Sequence, residues 1–470
     1  MPNADVRRFD LNIEKILEGW EIPHALREII ANALDEQALT DTRDVEIAKD
    51  AQGRWHIRDY GRGLKYDHLT QNENGEKLKN AEKVVGKFGV GLKDALATLH
   101  RRGVDVAIQS KHGNIALDVV PKHGFADIET LHAAISPPAD KKFIGTDFVF
   151  RRLADSDIAG AKRFFLCFSG DEVLDTSSLG QILRRKERGK ARVYVKGLLV
   201  AEEDEFAFSY NITSLTAAMN RALNRERSNV GRTAYSDRVK AMLLASSASE
   251  VAETLAADLQ RMELGTSHDE VKWTDVAVHA CQILNAAKKV VFVTAQQRTL
   301  ASDAIDHAIA DGYEAVTVPD NIRQRLRGIK DMNGNAVRDL DIYAEEFARS
   351  FEFTFIDIAK LSTAERKVFD LHEAIAKLGG GLPRQVKDIK VSETMRPAFI
   401  SASDALGLWE PHKSRIIIKR SELLSIEAFA GTLLHEIAHA RSGYGDVSRE
   451  FEGELTTIIG RISARALKKC

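Results

Sequence analysis

Apolar and polar residues at the start of the chain follow a pattern that predicts two helices separated by a strand. Between Ile22 and Leu34 apolar residues recur at helical spacing, and Pro23 fits a first helical turn. Trp55–Arg58 is typical of a strand, and Leu92–Leu99 is again apolar at helical spacing. Helices and strands are therefore expected to be interleaved in the first third of the chain.

The same reading predicts a multidomain α/β fold for the rest of the chain. The later predicted elements are the strands 191–200, 205–210, 288–294, 313–318 and 415–419 and the helices 215–223, 301–311 and 431–440. Their grouping predicts four domains, 1–155, 156–268, 269–351 and 352–470. The third is a small α/β connector without a phosphate-binding glycine loop.

The first helix carries polar residues that suit a hydrated cation. Glu28 and Asn32 are one helical turn apart and so lie on one face, and Asp35 continues nearly the same face. A carboxylate and a carboxamide placed in this way can hold a water and a hydrated Mg²⁺ above a triphosphate, because Mg²⁺ prefers hard oxygen ligands and retains several waters.

Two glycine-containing segments follow the helix at short distance. Asp59 ends the predicted strand and precedes Gly61 and Gly63, which permit close backbone approach to a ligand. A buried carboxylate there can accept an adenine amino proton. The segment Gly86–Leu92 then opens the next helix, where backbone N–H groups and the helix dipole favour phosphates.

Together, in this order and spacing, the three segments resemble the GHKL ATPases, which include gyrase B, the Hsp-ninety-class chaperones, histidine kinases, MutL and MORC. The resemblance implies a Bergerat α/β sandwich with an ATP lid, Glu28 as general base, Asn32 as magnesium ligand and Asp59 as adenine reader. Thr146 in Phe143–Phe150 is expected to support Asp59. The predicted nucleotide-binding residues are Asn32, Asp35, Asp59, Gly61, Gly63, Lys87, Phe88, Gly89, Val90, Gly91, Leu92 and Thr146.

Residues 156–268 are similar to the transducer-like second domain of these ATPases. In those families a basic residue of this domain reaches the γ-phosphate and acts on developing charge. The context of Arg225 and Arg227 resembles the chaperone branch, so these two are the first candidates, and Lys196 is the alternative. Ordinary solvated charges at a helix end are the competing interpretation.

A His-Glu-x-x-His motif lies near the C-terminal end of the sequence. His435 and His439 share one helix face, as a zinc site requires, and Glu436 stands where it can take a proton from a zinc-bound water. Gly443 is expected to end this helix. The strand Arg415–Lys419 before it is expected to be a sheet edge that binds substrate backbone.

The last 120 or so residues resemble compact gluzincin-like metallopeptidases with an α+β zincin-like domain. This resemblance implies a third, acidic ligand on the next helix, and Glu452 is the first choice. Glu450 and Glu454 remain alternatives, because successive helical residues point in different directions. Asp446 is interpreted as a partner that orients one of the histidines.

Composition indicates the cellular compartment of the protein more than it indicates its activity. The chain has 470 residues, 44% hydrophobic residues and a net charge of -2, which gives no overall signature of nucleic-acid binding. Cys167, Cys281 and Cys470 are widely separated, which favours a reducing compartment over a disulfide framework. Long apolar runs and a signal-peptide core are missing, so a soluble cytoplasmic protein without membrane contact is expected.

The combined prediction is an ATP-gated zinc metallopeptidase, with ATP, Mg²⁺ and Zn²⁺ as cofactors, a protein or peptide substrate and a nucleotide-dependent homodimer. Bacterial stress response or defence is a fold-level analogy. The alternative is an ATP-driven clamp or chaperone-like remodeller whose zinc module is structural or inactive. A GHKL kinase is disfavoured by Glu28. Nucleic-acid binding is left as an open alternative, because phosphates can contact a basic loop formed by Arg184, Arg185, Lys186, Arg188 and Lys190.

Overall fold

The structure is a computed structural model, and it describes residues 6–11, 19–70, 77, 79–80, 84–85, 91–122, 125–223, 230–262, 264–395, 405–446 and 448–468. The chain divides into two compact units, residues 1–280 and residues 281–470. Several β-sheets and many helices make it a mixed α/β multidomain protein, in agreement with the coarse prediction.

The first unit begins with a seven-stranded sheet of order β1-β6-β5-β4-β7-β3-β2, and all of its neighbouring pairs are antiparallel. The strands are β1 (Arg7–Asp10), β2 (Glu46–Lys49), β3 (Trp55–Asp59), β4 (Asp105–Ser110), β5 (Gly113–Lys122), β6 (Phe125–Ser136) and β7 (Thr146–Arg151). Sequence-distant strands β3 and β7 pair, so that Asp59 lies directly opposite Thr146.

Helices pack on this sheet and bury its core. They are α1 (Ile22–Thr40), α2 (Asp67–Thr70), α3 (Gly91–Arg101) and α4 (Asp155–Lys162). α1 starts at a Glu21 N-cap with proline in its first turn, as predicted. Its residues Leu26, Ile29 and Ile30 are fully buried, because apolar side chains at helical spacing face one side. The opposite face leaves Asn32 at the wall of a cavity.

A second sheet completes the first unit. Its order is β11-β10-β12-β9-β8, from β8 (Val173–Ser177), β9 (Gly180–Arg184), β10 (Ala191–Val195), β11 (Leu198–Glu203) and β12 (Phe208–Ile212). The helices here are α5 (Ala217–Ala222), α6 (Ser236–Ala245), α7 (Ser249–Leu259) and α8 (Asp269–Lys272), and α9 (Thr274–Ala287) leads into the second unit. Lys196 and Gly197 have positive φ angles of 51° and 80° and form the tight β10–β11 turn.

The second unit contains a small parallel strand pair and a larger sheet. The pair is β13 (Val290–Val293) and β14 (Glu314–Thr317), with α10 (Ala295–Leu300), α11 (Ser302–Ala310), α12 (Asp320–Leu326) and α13 (Leu340–Ser350). The predicted strand, helix and strand of this region are therefore observed. The rest comprises β15 (Phe355–Ile356), α14 (Thr363–Phe369), α15 (His372–Leu378), β16 (Asp388–Ser392), β17 (Gly407–Glu410), β18 (Arg415–Lys419), α16 (Ile426–Ser442) and α17 (Arg449–Leu467).

The larger sheet corrects one prediction. Its order is β15-β16-β18-β17, so β18 (Arg415–Lys419) lies between two strands and β17 is the outer one. The sequence of β18 explains its inner position. Ile416, Ile417 and Ile418 form a continuous apolar run, which is typical of an inner strand, and all three are fully buried. The strand available at the edge is therefore β17.

Within the described residues, no helix combines the length and the apolar character needed to span a bilayer.

The pairing of β3 with β7 depends on Gly145, which gives the first testable prediction. Its φ is +82°, and an added Cβ would lie 1.9 Å from the carbonyl oxygen of Asp59. Gly145→Ala should lose more than about 3 kcal/mol of unfolding free energy, because left-handed strain adds to a backbone clash. Denaturant unfolding measures this loss.

Gly53 is the matched control. Its φ is +78°, but an added Cβ would meet nothing within 4 Å. Gly53→Ala should therefore lose only about 1–2 kcal/mol, the cost of the left-handed backbone. Equal losses in both variants would show that the β3–β7 contact does not set the requirement at Gly145.

Candidate functional site

Asp59, at the end of β3, is a buried carboxylate held by backbone groups. It is 5% exposed, and its Oδ1 accepts hydrogen bonds from the amides of Gly61 at 2.9 Å and Thr146 at 3.3 Å. Burial raises the pKa of Asp59 to about 6, the hydrogen bond from Gly61 opposes the shift, and the charge of Glu36 adds to it. A carboxylate in such a place is suited to reading a donor group on a ligand.

The loop after Asp59 is fixed by the neighbouring strands. The Leu64 amide donates to Thr146 Oγ1 at 3.0 Å, and Ser110 Oγ donates to the Leu64 carbonyl, also at 3.0 Å. Gly63 has φ +85°, and a Cβ there would lie 2.8 Å from Ser110 Oγ. Thr146 thus supports both the amide of Leu64 and the carboxylate of Asp59.

A cavity of about 220 Å³ lies beside these residues. Of the residues predicted to bind nucleotide, its wall contains Asn32, Asp59, Gly63, Leu92 and Thr146. Among the described residues it does not include Glu28, Asp35, Gly61 or Gly91. The wall also contains residues not singled out from the sequence, namely Ala33, Glu36, Arg62, Leu64, Lys65, His68, Lys77 and Phe148.

Glu36 and Arg62 form one part of this wall that sequence reasoning missed. The Arg62 guanidinium donates to both carboxylate oxygens of Glu36 at 3.0 Å, and the Arg62 amide donates at 2.7 Å. Burial alone would raise the pKa of Glu36, but its hydrogen bonds with Arg62 outweigh burial and lower it. Glu36 is four residues after Asn32 and so lies on the same helix face, and this spacing was the signal that could have found it.

Glu28 is held by its buried neighbour Arg27. Arg27 is 1% exposed, stacks over Trp20 and Phe164, and donates from Nε at 3.0 Å and Nη2 at 2.8 Å to Glu28 Oε1. A Cβ on Gly91 would lie 2.4 Å from Glu28 Oε2. The Glu28 carboxylate therefore lies against the first residue of α3, beside the predicted phosphate-binding segment.

Asn32 and Asp35 both contact Lys77. The Lys77 ammonium donates to Asn32 Oδ1 at 2.9 Å and to Asp35 Oδ2 at 2.7 Å, and the Val85 amide donates to Asp35 Oδ1 at 2.6 Å. The Asp35 side chain has 0% exposure. Asp35 thus anchors the chain after α2, and the predicted Mg²⁺ on Asn32 does not fit, because a lysine already occupies the oxygen assigned to it.

Some predicted residues lie outside the described ranges. They are Lys87, Phe88, Gly89 and Val90 of the glycine-rich segment, together with Arg225 and Arg227.

In the second unit, α16 presents the His-Glu-x-x-His motif as predicted. Ser425 caps its start and Gly443, with φ 74°, ends it. The Nε2 atoms of His435 and His439 are 3.2 Å apart, and His439 Nδ1 lies 2.8 Å from the Tyr444 carbonyl oxygen. That contact fixes Nδ1 as the donor and leaves Nε2 as the coordinating atom.

Asp446, and not Glu452, meets the two histidines. Asp446 Oδ1 is 2.9 Å from the Nε2 atom of each histidine. Ligand atoms on a tetrahedral zinc with bonds of about 2.0–2.1 Å are roughly 3.3 Å apart, so these three atoms, at 2.9 and 3.2 Å, would need to move only slightly apart to hold a zinc ion. On α17 it is Phe451 that faces the site, stacked on His439 with ring centroids 4.2 Å apart.

The other acidic residues of α17 are directed elsewhere. Glu450 and Glu452 are exposed, and Glu454 pairs with Arg441 at 2.9 Å. The prediction of Glu452 as third ligand is therefore not supported, because the helix turns it about 100° away from Phe451. The loop that precedes α17 brings Asp446 to the two histidines instead.

Glu436 lies deeper than the histidines. It is 5% exposed, and burial raises its pKa to about 8, although the hydrogen bond from the Trp409 amide opposes the shift. Burial and the neighbouring His439 lower the pKa of His435, which favours the neutral imidazole that zinc requires. One carboxylate oxygen of Glu436 and one ring nitrogen of each histidine lie within 4.8 Å of one another.

A cavity of about 690 Å³ opens beside this motif and along β17. Its wall contains Ala405, Leu406, Gly407, Leu408, Trp409, Pro411, Gly431, Thr432, His435, Glu436, His439, Gly443, Tyr444 and Asp446. A Cβ on Gly407 would lie 2.8 Å from Glu436 Oε1, so the outer strand packs directly against the motif.

The basic loop of the second sheet is largely engaged within the protein. Lys186 lies 3.1 Å from Asp171, and Lys190 lies 2.9 Å from Asp204. Arg184 pairs with Glu172 and Glu250, and Arg185 donates to backbone carbonyls. These contacts favour a loop with internally balanced charge over a phosphate-binding surface.

Comparison with known proteins gives relatives of the chain but no activity. Residues 156–249 match the family profile described as Mycoplasma pneumoniae MPN635 N-terminal domain. An uncharacterized protein of Mycoplasma pneumoniae is 38% identical over 246 residues, which cover 51% of this chain and 98% of the relative. A second uncharacterized protein of that organism is 22% identical over 342 residues, or 68% of this chain and 96% of the relative. The chain belongs to the same protein family as the first of these Mycoplasma pneumoniae proteins.

Proposed function

We propose that this protein is an ATP-binding and ATP-hydrolysing protein with a zinc-dependent peptidase site in its second unit. The observation that carries the proposal is the convergence of His435, His439 and Asp446 on one point beside a cavity, with Glu436 next to them. The ATP half is supported by the buried Asp59 and by Glu28 beside α3.

In the first unit, Asp59 accepts the amino proton of adenine, because it is a buried carboxylate at the wall of the cavity. Thr146 and Gly61 hold it in position. Glu28 removes a proton from the attacking water. Arg27 fixes the direction of the Glu28 carboxylate through the two donors on Oε1.

In the second unit, His435, His439 and Asp446 would hold zinc. When bound there, zinc would supply a Lewis acid that polarises a scissile carbonyl and acidifies water. Glu436 takes the proton of the attacking water and delivers it to the leaving amine. Its burial makes it a good proton carrier, because a carboxylate out of water binds a proton more tightly. The substrate backbone pairs with the outer strand β17, which lines the cavity.

The cavity favours a catalytic site over a structural one. A structural zinc site is closed by four protein ligands, whereas three ligands beside an open space leave a position for water and substrate. The apolar wall from Leu406, Leu408, Trp409 and Pro411 favours a substrate with an apolar side chain near the cleaved bond. Gating of this site by ATP and nucleotide-dependent dimerisation remain predictions from the combination of the two sites.

The metal assignment predicts which acidic residue holds zinc. Asp446→Ala should lose zinc, as His435→Ala should, because each removes one of three ligands. Glu452→Ala is the matched control and should keep about one zinc per chain, since it is exposed on α17. Elemental analysis of the purified variants measures the content. Zinc loss in Glu452→Ala with retention in Asp446→Ala would reverse the assignment.

The role of Glu436 predicts a separation of metal binding from turnover. Glu436→Gln should keep zinc but lose roughly 10²- to 10⁴-fold in peptide cleavage, the usual contribution of a positioned general base. Zinc content and cleavage of a fluorogenic apolar peptide are measured on the same preparation. Loss of zinc in this variant would make Glu436 a ligand and would remove it as the base.

The proposed ATP site predicts that substitutions of Glu28 and Glu36 affect different steps. Glu28→Gln should bind ATP with unchanged affinity but hydrolyse it at least about 10²-fold more slowly, because the base is lost. Glu36→Gln should instead weaken ATP binding, because Glu36 holds Arg62 at the wall of the cavity. Calorimetry and an ATPase assay distinguish the two. Unchanged turnover in Glu28→Gln would remove it as the base.

A further inference from the structure

The contacts of Lys77 change the role of Asn32 in the nucleotide cavity. Lys77 Nζ donates to Asn32 Oδ1 at 2.9 Å and to Asp35 Oδ2 at 2.7 Å. Both Asn32 and Lys77 line the cavity, and Lys77 is only 9% exposed. The carbonyl end of the Asn32 amide is therefore directed at a cation that belongs to the protein itself.

Lys77 is held in this place by Asp35. The Asp35 side chain is fully buried, and besides Lys77 its carboxylate accepts the Val85 amide at 2.6 Å. Withdrawal of the ammonium would break a close ion pair with a fully buried carboxylate, which is unfavourable. The pair is thus expected to persist when a ligand enters the cavity.

A divalent ion on Asn32 would conflict with this pair. Mg²⁺ coordinates oxygen at about 2.1 Å, so an ion on Oδ1 would lie within about 5 Å of the ammonium. The two cations would repel each other and compete for the same amide oxygen. What Asn32 retains is its NH₂ end, which is a hydrogen-bond donor and suits an anionic ligand.

We propose that Lys77 takes the place at Asn32 that the GHKL resemblance assigns to Mg²⁺, and that Asn32 binds the phosphates of ATP as a hydrogen-bond donor. Lys77 is the positioning residue, because its contact with Oδ1 sets the direction of the amide. The inference rests on the proposed binding of ATP. Its consequence is that Asn32 offers a bound nucleotide no metal ligand, so the affinity for ATP should depend little on a divalent ion.

Calorimetric titration of the full chain with ATP, in excess Mg²⁺ and in excess EDTA, tests the proposal. The wild-type dissociation constants should differ by less than tenfold between the two conditions. A difference of tenfold or more in favour of Mg²⁺ would overturn the proposal while leaving ATP binding intact. No binding in either condition would instead remove the proposed ATP site, and this inference with it.

The Asn32→Asp variant distinguishes a hydrogen-bond donor at this position from a magnesium ligand. This substitution replaces the NH₂ donor with a carboxylate, so the affinity for ATP should fall at least tenfold in EDTA and Mg²⁺ should not restore it. If Asn32 were a magnesium ligand, a carboxylate would serve it as well or better. Recovery of affinity in Mg²⁺ would therefore contradict the donor role.

A paired substitution tests Lys77 itself. Lys77→Met with Asp35→Leu removes both charges at similar volume, so no buried charge is left unpaired. Asn32 is then released, and ATP binding should become at least tenfold tighter in Mg²⁺ than in EDTA. Lys65→Met, which removes another lysine of the same cavity, is the control and should stay independent of Mg²⁺. Circular dichroism checks folding, and Asn32→Asp decides the matter if the pair does not fold.

Discussion

Buried carboxylates need partners, and this requirement organises both candidate sites. Asp59 is held by the amides of Gly61 and Thr146, Asp35 by Lys77 and the Val85 amide, and Glu436 by the Trp409 amide. Apart from Gly61, which is two residues from Asp59, these partners are distant in the sequence, so each carboxylate connects elements that would otherwise be independent. A buried charge without such a partner would be too costly to keep.

Around Asp59 this constraint determines the local fold. The pairing of β3 with β7 puts the Thr146 amide within reach, and the close approach at Gly145 allows the two strands to meet. The loop that follows Asp59 then rests on Thr146 and Ser110. The cavity wall is thus a consequence of strand pairing, and the Asp59 carboxylate is part of the same hydrogen-bond network.

At the second site the constraint acts through a helix and a loop. Helix α16 brings His435 and His439 together because four residues make about one turn. The Tyr444 carbonyl then fixes the orientation of His439, and Asp446 in the same short loop meets both rings. Glu436 is buried under β17, where Gly407 leaves room for it. The arrangement separates the two histidines and Asp446 at the surface of the helix from the buried carboxylate of Glu436 beneath them.

The sequence by itself determined what depends on neighbours along the chain: the helix with Glu28 and Asn32, the His-Glu-x-x-His face, the helix end at Gly443 and the mixed α/β class. Helical periodicity is local, so these features follow from spacing alone. Only the tertiary structure decided that Lys77 reaches Asn32, that Arg62 pairs with Glu36, that β17 lies outside β18 and that Asp446, not Glu452, contacts the two histidines. These outcomes depend on strand order and on loop paths between distant residues, which no periodicity in the sequence encodes.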